Sequence, residues 1–306
     1  MAAYTKLSTK NITDLLKNYD LGPLEDSTPL SGGQANSSYR LATPKGLFTL
    51  SVCDEKTEEE IRVLTRVLTF LEAQSFPATR LVRPVKGNSF ISHGSKPVYI
   101  KEFLDGETCR ELTRPMLIQV GKAMARLHGL SSPRGVPEAF PYGLAHFAEV
   151  LDAGTGHPFE NWLAEKMAWL DTNLDRSMAR GFIHGDVFWD NLLFKNSTLT
   201  AVLDFEEACQ YFLLYDLGMA AVGCCAKDGR FDPEKINNLL EGYQAARPMS
   251  DAEKDQFRPF LVYAATAAAF WRFRQYNLRR PDPELADSYR ELAALADQTP
   301  GLSLVL

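Results

Sequence analysis

Residues 181–207 read GFIHGDVFWDNLLFKNSTLTAVLDFEE. This stretch holds two short apolar runs, Leu192–Phe194 and Ala201–Leu203, which are joined by the polar residues 195–198. Two apolar runs with a polar connection of this length predict a β-hairpin. Acid and amide side chains flank the runs, so we expect them at neighbouring ends of one small sheet. They are Asp186, Asp190 and Asn191 before the first run and Asp204 after the second.

Three of these side chains have the spacing that phosphoryl transfer from ATP requires. One Asp accepts the proton of the attacking hydroxyl, and an Asn and a second Asp hold Mg²⁺ on the nucleotide phosphates. The protein-kinase motifs H-R-D-L-x-x-x-N and D-F-G place the same groups in the same order. Here the corresponding residues are Asp186, Asn191 and Asp204. The sequence therefore predicts a kinase, and Glu206 in place of the last glycine favours a small-molecule acceptor.

Taken singly, each acidic residue is more often a helix cap or a surface charge than a catalyst. The combination carries the prediction, because chance rarely assembles three such groups around apolar strands. Asp190 has no task in the kinase pattern and is interpreted as a turn residue. Asp216 lies in a helix-like run, residues 213–225. We expect its carboxylate to be buried and to accept backbone N–H groups of the catalytic loop.

Length and charge exclude several classes of protein. The chain has 306 residues, a length sufficient for two lobes. Its formal net charge of -6 argues against binding to nucleic acids or anionic membranes. No apolar run is long enough to span a bilayer. The five cysteines form an odd set without C-x-x-C spacing, as expected of reduced thiols in a cytoplasmic protein.

The first hundred residues predict a small lobe of short strands with two helices. Gly32 and Gly33 lie between extended segments and would let backbone amides approach a phosphate closely. Alone, the two glycines are a weak signal, because a plain turn between strands is their commoner explanation. No G-x-x-x-x-G-K-[ST] motif is present, and no G-x-G-x-x-G follows a strand, so neither a P-loop nor a dinucleotide-binding fold is indicated.

Beyond residue 104 the pattern changes to long helices. Capping signals predict helices at residues 114–128, 159–179, 233–246, 250–277 and 283–296. The predicted class is therefore α+β, with a small antiparallel-sheet N-terminal lobe, residues 1–103, that binds nucleotide. Residues 104–306 form a mostly helical C-terminal lobe for catalysis and substrate binding. We expect ATP in the crevice between the lobes.

The helix near residue 270 carries two arginines, Arg272 and Arg274, among aromatic residues. Both could be solvated charges beside aromatic packing. Alternatively, one arginine faces the cleft and binds a substrate carboxylate through two hydrogen bonds. Glu206 and Glu207 could then bind a cationic amine.

Taken together, the chain resembles the aminoglycoside phosphotransferase and choline kinase superfamily, whose fold is similar to that of protein kinases. The motifs that carry the resemblance are Gly32-Gly33 with Asn36, residues 121–128 (GKAMARLH), residues 184–191, and residues 204–206. Within that superfamily, residues 185–191 (GDVFWDN) and 204–217 (DFEEACQYFLLYDL) are most similar to the homoserine kinases of this fold.

The resemblance implies transfer of the ATP γ-phosphate to the hydroxyl of L-homoserine, in threonine biosynthesis. It implies Asp186 as the base and Asn191 and Asp204 as magnesium ligands. Nucleotide-binding residues would be Gly32, Gly33 and Asn36 at the phosphates, and Glu102, Phe103 and Leu104 at adenine. An amino-acid substrate agrees with the acid pair near the base and an arginine on the late helix, so the predicted substrate-binding residues are Trp189, Glu206, Arg272 and Arg274.

Two positions depart from the pattern of the superfamily. Ser51 stands where a phosphate-binding lysine is expected, so Lys56 or Lys101 takes its place, or metal and glycine amides suffice, or nucleotide binding is impaired. Glu59 or Glu60 would be the partner of such a lysine. Trp189 stands where relatives often have a proline, which would reshape the acceptor pocket.

Other functions stay open from sequence alone. They are a choline- or hydroxylysine-like kinase, an aminoglycoside phosphotransferase, and a catalytically silent nucleotide-binding protein. A metal phosphohydrolase is disfavoured because the remaining histidines are scattered. The expected partner is a small molecule, an amino acid or amino alcohol. The oligomeric state does not follow from the sequence.

Overall fold

The computed structural model describes residues 5–30 and 36–305. The chain divides into two units. The first comprises Met1–Gly106 and Thr200–Glu206, and the second comprises Glu107–Leu199 and Glu207–Leu306. The predicted α+β class is confirmed, with an antiparallel sheet at the N-terminal end and a helical C-terminal part. The assignment of separate functions to residues 1–103 and 104–306 stays a prediction.

The first unit is built on one antiparallel sheet, with strand order β1-β2-β3-β6-β4 and β5 paired to β6. Its elements are α1 (Thr9–Leu16), β1 (Asp26–Pro29), β2 (Asn36–Thr43), β3 (Gly46–Cys53), α2 (Glu58–Ala73), β4 (Leu81–Val82), β5 (Ile91–His93) and β6 (Lys96–Glu102). The predicted capping box of α2 is confirmed, because the side chains of Thr57 and Glu60 each accept the other's backbone N–H.

Side chains alternate along β2, β3 and β6, so this sheet has two unlike faces. One face joins α1 in an apolar core of Ile12, Leu15, Leu16, Tyr19, Tyr39, Leu41, Phe48, Leu50, Val52, Val98 and Ile100. The register puts polar residues opposite one another on the other face. We call it the polar face; it carries Asn36, Ser38, Arg40, Thr49, Ser51 and Lys101 together with Cys53 and Tyr99.

Residues 200–206 belong to the first unit because they bond to a segment beside α2. The Val202 N–H donates to the carbonyl of Pro77 at 2.7 Å, and Val202 forms a parallel bridge with Ala78. Phe205 is buried and meets Phe76 edge to face, with ring centres 6.0 Å apart. These contacts fix the acidic residues next to Phe205 against the first unit.

The second unit is mostly helical, as the sequence predicts. Its elements are β7 (Glu107–Thr108), α3 (Arg114–His128), α4 (Ala148–Leu151), α5 (Pro158–Asn173), β8 (Arg180–Ile183), β9 (Leu192–Lys195), β10 (Thr198–Val202), β11 (Cys209–Phe212), α6 (Leu213–Cys224), β12 (Ala226–Lys227), β13 (Arg230–Phe231), α7 (Pro233–Ala246), α8 (Asp251–Phe273) and α9 (Tyr289–Gln298). Strands β10, β9 and β7 form one small sheet, β8 pairs with β11, and β12 pairs with β13.

The predicted hairpin is present as β9 and β10. Its turn is tight because Asn196 and Ser197 both adopt left-handed backbone angles, with φ of 51° and 60°. Strand β10 starts in the second unit, and its residues from Thr200 onward belong to the first.

Two sequence predictions are wrong at helix ends. Helix α5 ends at Asn173 and not near 179, because Leu174 is extended (ψ 116°) and Gly181 pairs with Tyr211 inside β8. The last helix begins at Tyr289 and not at Pro283. Residues 282–288 instead form short turns in which Leu285 donates to Asp282 and Ser288 donates to Leu285. Within the described residues, no helix is both long and apolar enough to cross a membrane.

Helices α3 and α7 approach each other closely through two glycines. A Cβ on Gly121 would lie 2.1 Å from the carbonyl oxygen of Leu239, and one on Gly242 would lie 2.1 Å from that of Ile118. Both obstacles are backbone atoms that cannot turn aside. The crossing therefore requires glycine at both positions.

Gly121→Ala should lower the free energy of unfolding by about 1–3 kcal/mol or more, although alanine favours helices, because the added methyl forces α3 and α7 apart. Urea unfolding measures this change. Gly129→Ala is the control, since the nearest atoms to a Cβ there are 3.5 Å away, and it should shift stability by less than about 1 kcal/mol. Equal losses in the two variants would contradict the close approach.

Candidate active site

The loop between β8 and β9 brings two of the predicted site residues together. The Asn191 amide nitrogen donates to the Asp186 carbonyl oxygen at 2.9 Å and lies 3.3 Å from its carboxylate oxygen Oδ2. The Asp186 N–H donates to His184 Nδ1 at 3.1 Å. Residues 189–191 close the loop as one 3₁₀ turn. The carboxylate and the amide oxygen thus belong to one ordered loop of the second unit.

Asp216 anchors the backbone of this loop through hydrogen bonds. Its carboxylate is fully buried on α6 and accepts the N–H groups of His184 at 3.0 Å and Gly185 at 2.7 Å. His128 Nε2 lies 3.0 Å from the same carboxylate, and His128 Nδ1 lies 2.8 Å from the Tyr243 hydroxyl. The predicted role of Asp216 is therefore confirmed. The link through His128 to Tyr243 was not predicted, although His128 ends the GKAMARLH motif.

The carboxyl group of Asp216 stays ionised although it is buried. Burial alone would raise the pKa of this carboxyl, but the hydrogen bond and electrostatic interaction with His128, the electrostatic interaction with His184 and the hydrogen bond from the Gly185 N–H lower it below the usual value. Asp216 is therefore ionised at neutral pH and binds the loop amides through charge-assisted hydrogen bonds.

Two glycines let the loop fit this support. Gly185 has φ of +89°, and a Cβ there would lie 2.7 Å from the Phe140 ring. A Cβ on Gly223 of α6 would lie 2.4 Å from the carbonyl oxygen of Val187. The loop backbone therefore rests directly on α6, which leaves little freedom in the position of Asp186.

In the first unit, Asp204 and Glu206 have different surroundings. Asp204 is exposed and has a left-handed backbone (φ 58°), which is uncommon outside glycine. Glu206 is tied down, since the Asn36 amide donates to its Oε1 and Lys56 Nζ lies 3.4 Å from its Oε2. Burial and then the charge of Asp204 raise the pKa of Glu206, while Lys56 and Lys101 oppose the shift.

The predicted nucleotide-binding residues are placed only in part. Gly32 and Gly33 lie outside the described residues. At the end of β6, the N–H of Glu102 donates to the Arg80 carbonyl at 2.9 Å and that of Phe103 donates to the Leu47 carbonyl at 3.1 Å. These two N–H groups are therefore committed within the sheet, and the predicted contact of residues 102–104 with adenine would have to use other groups.

The two predicted arginines have separate surroundings. Arg272 donates to the Ser288 carbonyl at 3.1 Å and to Glu291 at 2.7 Å, at the start of α9. Arg274 begins the π-helical extension of α8 (Arg274–Arg279), and its side chain is only 4% exposed. Its guanidinium lies 5.0 Å from the ring centre of Phe270 and 5.1 Å from that of Tyr142.

Tyr142 contacts Arg274 and is influenced by the charge of Asp186 in the loop. It was not predicted from the sequence. Burial raises its pKa, the negative charges of Glu207 and Asp186 add to the shift, and Arg274 opposes it. Of these charged groups, the guanidinium of Arg274 lies over the ring, 5.1 Å from its centre. No motif marks Tyr142, which lies in an irregular segment before the short 3₁₀ turn of Leu144–His146.

The model of the phosphotransferase enzyme family (APH) matches residues 26–249. The chain belongs to this family. It is 30% identical over 284 residues to a homoserine kinase of Caulobacter vibrioides, covering 88% of each chain. It is 28% identical to a homoserine kinase of Afipia carboxidovorans, covering 83% of this chain and 80% of the relative.

A solved structure supports the fold of this phosphotransferase family member. The amicoumacin kinase hAmiN, in complex with AMP-PNP, Ca²⁺ and Ami, superposes with a TM-score of 0.76 at 14% identity. The match covers 98% of this chain and 96% of that one. The family match confirms the resemblance to the aminoglycoside phosphotransferase superfamily, and the superposition confirms the predicted fold.

The side chains of this family member suit a magnesium ion that arrives with a nucleotide. Among the described residues, no group of three or more His, Cys, Asp or Glu side chains could by itself hold a metal. Mg²⁺ prefers carboxylate and amide oxygens and is often bound through one or two carboxylates plus substrate phosphates. Asn191 and Asp204 supply such oxygens. That they bind one Mg²⁺ stays a prediction.

Asp216→Asn should lower the free energy of unfolding at pH 7 by about 1.5–3 kcal/mol, because charge-assisted hydrogen bonds from the buried N–H groups of His184 and Gly185 are lost. The contribution of Asp216 comes from a lowered pKa, so it is complete above the pKa of an unfolded aspartate, about 3.9. It is lost as the pH falls through the lower pKa of the folded protein.

Unfolding by denaturant from pH 7 to pH 3 tests this sign. The difference between wild type and Asp216→Asn should be constant down to about pH 4 and narrow below it. Asp190→Asn, on the exposed side of the same loop, is the control and should change stability by less than about 0.5 kcal/mol. A difference that grows in acid would refute the ionised state of Asp216.

Proposed function

We propose that this protein is a kinase that transfers the γ-phosphate of ATP to the hydroxyl of L-homoserine. The observation that carries the proposal is the loop of residues 184–191, in which Asp216 fixes the backbone and Asn191 bonds to Asp186. Membership of the phosphotransferase enzyme family supports the reaction class. The names of two relatives at 28–30% identity support the acceptor.

In this proposal Asp186 is the base. The acceptor hydroxyl oxygen forms a bond to the γ-phosphorus as the bond from that phosphorus to the bridging oxygen of ADP breaks, and Asp186 takes the hydroxyl proton. Asn191 and Asp204 would hold Mg²⁺, which neutralises charge on the phosphates when bound. Amides near Gly32 and Gly33, with Asn36, cover the phosphates.

Most of the rate enhancement should come from positioning, since the transition state of phosphoryl transfer is loose and asks little of the base. This requirement explains the use of a buried network beneath the loop. The chain orients Asp186 through its own backbone: the N–H donates to His184, and the carbonyl accepts from Asn191.

The acceptor side suits an amino acid, which carries both a carboxylate and an ammonium group. Arg274 is the favoured carboxylate ligand. Its guanidinium lies 3.1 Å from Glu149 and over the ring of Tyr142. The negative charge of Asp186 contributes to the raised pKa of Tyr142. Glu207 also acts on Tyr142 and is the favoured partner of the ammonium group. Trp189, on the same loop as Asp186, would limit the size of the acceptor.

Arg272 and Glu206 fit these tasks less well. Arg272 bonds to Glu291 and to the carbonyl of Ser288 at the start of α9, whereas Arg274, although paired with Glu149, lies over the ring of Tyr142. Glu206 is committed to Asn36 and Lys56 on the polar face. The proposed acceptor residues are therefore Arg274, Glu207 and Trp189.

ATP-dependent release of ADP, measured with amino acids, amino alcohols and aminoglycosides as acceptors, tests the activity. L-homoserine should give the highest kcat/KM, and Asp186→Asn should lower the rate by about 10²–10⁴-fold because the general base is lost. Asp190→Asn, four residues later in the loop, is the control and should keep wild-type rates.

Other outcomes would replace the proposal. A preference for choline or hydroxylysine would make the protein an amino-alcohol or hydroxy-amino-acid kinase, and a preference for an aminoglycoside would make it an antibiotic kinase. Nucleotide binding without turnover of any acceptor would identify a catalytically silent member of the family.

Arg274→Lys should raise KM for L-homoserine by about 10–100-fold with a smaller change in kcat, because lysine keeps the charge but loses the planar, two-pronged contact with a carboxylate. Arg272→Lys is the matched variant two residues away and should change KM by less than about twofold. Steady-state kinetics with homoserine measures both. The reverse order of effects would assign the carboxylate to Arg272.

A further inference from the structure

The middle of the polar face lacks the cation that a nucleotide triphosphate needs. Ser51 stands at the centre of β3 and is 1% exposed, with its hydroxyl 3.3 Å from that of Ser38. The residue opposite it on β6 is Tyr99, which is also buried and forms a hydrogen bond with Ser51. No side chain at this central position can neutralise phosphate charge.

The acidic residues that begin α2 are also committed elsewhere. Glu60 closes the capping box by accepting the Thr57 N–H at 2.8 Å. Glu58 lies 3.3 Å and Glu59 lies 3.8 Å from Arg62, one turn further along the helix. In protein kinases a lysine on the strand and a glutamate on the following helix form an ion pair that organises phosphate binding. Here Ser51 takes the place of the lysine, and the glutamates at the start of α2 bond to Thr57 and Arg62.

A different lysine–glutamate pair lies at the edge of the same face. Lys56, between β3 and α2, donates to the Glu206 carbonyl at 3.1 Å and lies 3.4 Å from its carboxylate. The two side chains are only 15% and 10% exposed. The Asn36 amide holds the other carboxylate oxygen. The ammonium is thus fixed two residues from Asp204, the proposed magnesium ligand.

Lys101, the other candidate, is placed differently. Its ammonium lies 5.3 Å from the ring centre of Tyr99, and its strand neighbour is Thr49. The positive charges of Lys56 and Lys101 both lower the pKa of Glu206, and the effect of Lys56 is the larger. A partly buried ion pair adds little net stability, because desolvation offsets its attraction. A role in placing the ammonium accounts better for the Lys56–Glu206 pair than stability does.

We propose that Lys56, positioned by Glu206, binds the β- and γ-phosphates of ATP in place of a lysine on β3. The assignment rests on the proposed kinase function and deepens it. Glu206 then serves nucleotide binding and not the acceptor amine. Asn36 acts through Glu206 by fixing the carboxylate that holds Lys56.

Calorimetric binding of AMP-PNP with Mg²⁺, and of AMP alone, tests the assignment on the full chain. Lys56→Ala should raise the Kd for AMP-PNP by about 10-fold or more, the effect of losing a charged hydrogen bond. It should leave the Kd for AMP, which lacks the β- and γ-phosphates, within about twofold. Lys56→Arg should restore most of the affinity, and Lys101→Ala should have a much smaller effect than Lys56→Ala.

Glu206→Gln tests the positioning role. It should raise KM for ATP more than it lowers kcat, and added to Lys56→Ala it should cause no further loss, since the two residues act as one unit. Additive losses would overturn the role of Glu206.

The remaining outcomes separate the two proposals. Wild-type affinity for AMP-PNP in Lys56→Ala, an equal loss of AMP binding, or a larger loss in Lys101→Ala would overturn the assignment to Lys56 while leaving the kinase function intact. A wild-type protein that binds neither nucleotide would overturn both.

Discussion

One buried carboxylate, that of Asp216, determines whether the loop of residues 184–191 has a single shape. A loop between strands has no regular hydrogen bonds of its own, so its amides need partners elsewhere. Asp216 accepts two of them, and His128 Nε2 lies 3.0 Å from the same carboxylate. In a buried site such bonds are strong, and an unpaired group there would be costly. Every proposed chemical role of Asp186 and Asn191 depends on this support.

The same interaction connects the loop to the helical core. Asp216 lies on α6, His128 ends α3, and Tyr243 of α7 holds the other nitrogen of His128. Helices α3 and α7 are in turn locked by the close approach at Gly121 and Gly242. A substitution in this helix contact is therefore expected to reach the loop through His128. For the first unit we propose a different solution, in which the Lys56–Glu206 ion pair at the edge of the sheet takes the place of a lysine at its centre.

Local signals in the sequence predicted much of this structure. The hairpin follows from its apolar runs and turn residues, and the capping boxes at Thr57 and Ser250 follow from residues three apart. The role of Asp216 could be predicted because buried carboxylates must find donors. The end of α5 was missed, since the pairing of Gly181 with Tyr211 draws the chain into a strand.

Long-range contacts explain what sequence reasoning could not see. Lys56 and Glu206 are 150 residues apart, and Arg274 and Glu149 are 125 apart. The sequence around each of these residues does not indicate which distant residue is its partner. Tyr142 likewise has meaning only beside Arg274 and the loop. The distinction between Arg272 and Arg274 depends on where helix α8 changes: Arg272 lies in its last α-helical turn, whereas Arg274 begins the π-helical segment, where the hydrogen-bond spacing differs.

Amide hydrogen exchange at His184 and Gly185 tests the central claim most directly. If Asp216 holds the loop, both amides should exchange as slowly as those of neighbouring β8, and they should become fast in Asp216→Asn while the β8 amides stay protected. Rapid exchange of the two amides in the wild-type protein would show that the loop is not held by Asp216, and the account of a preorganised base would fail.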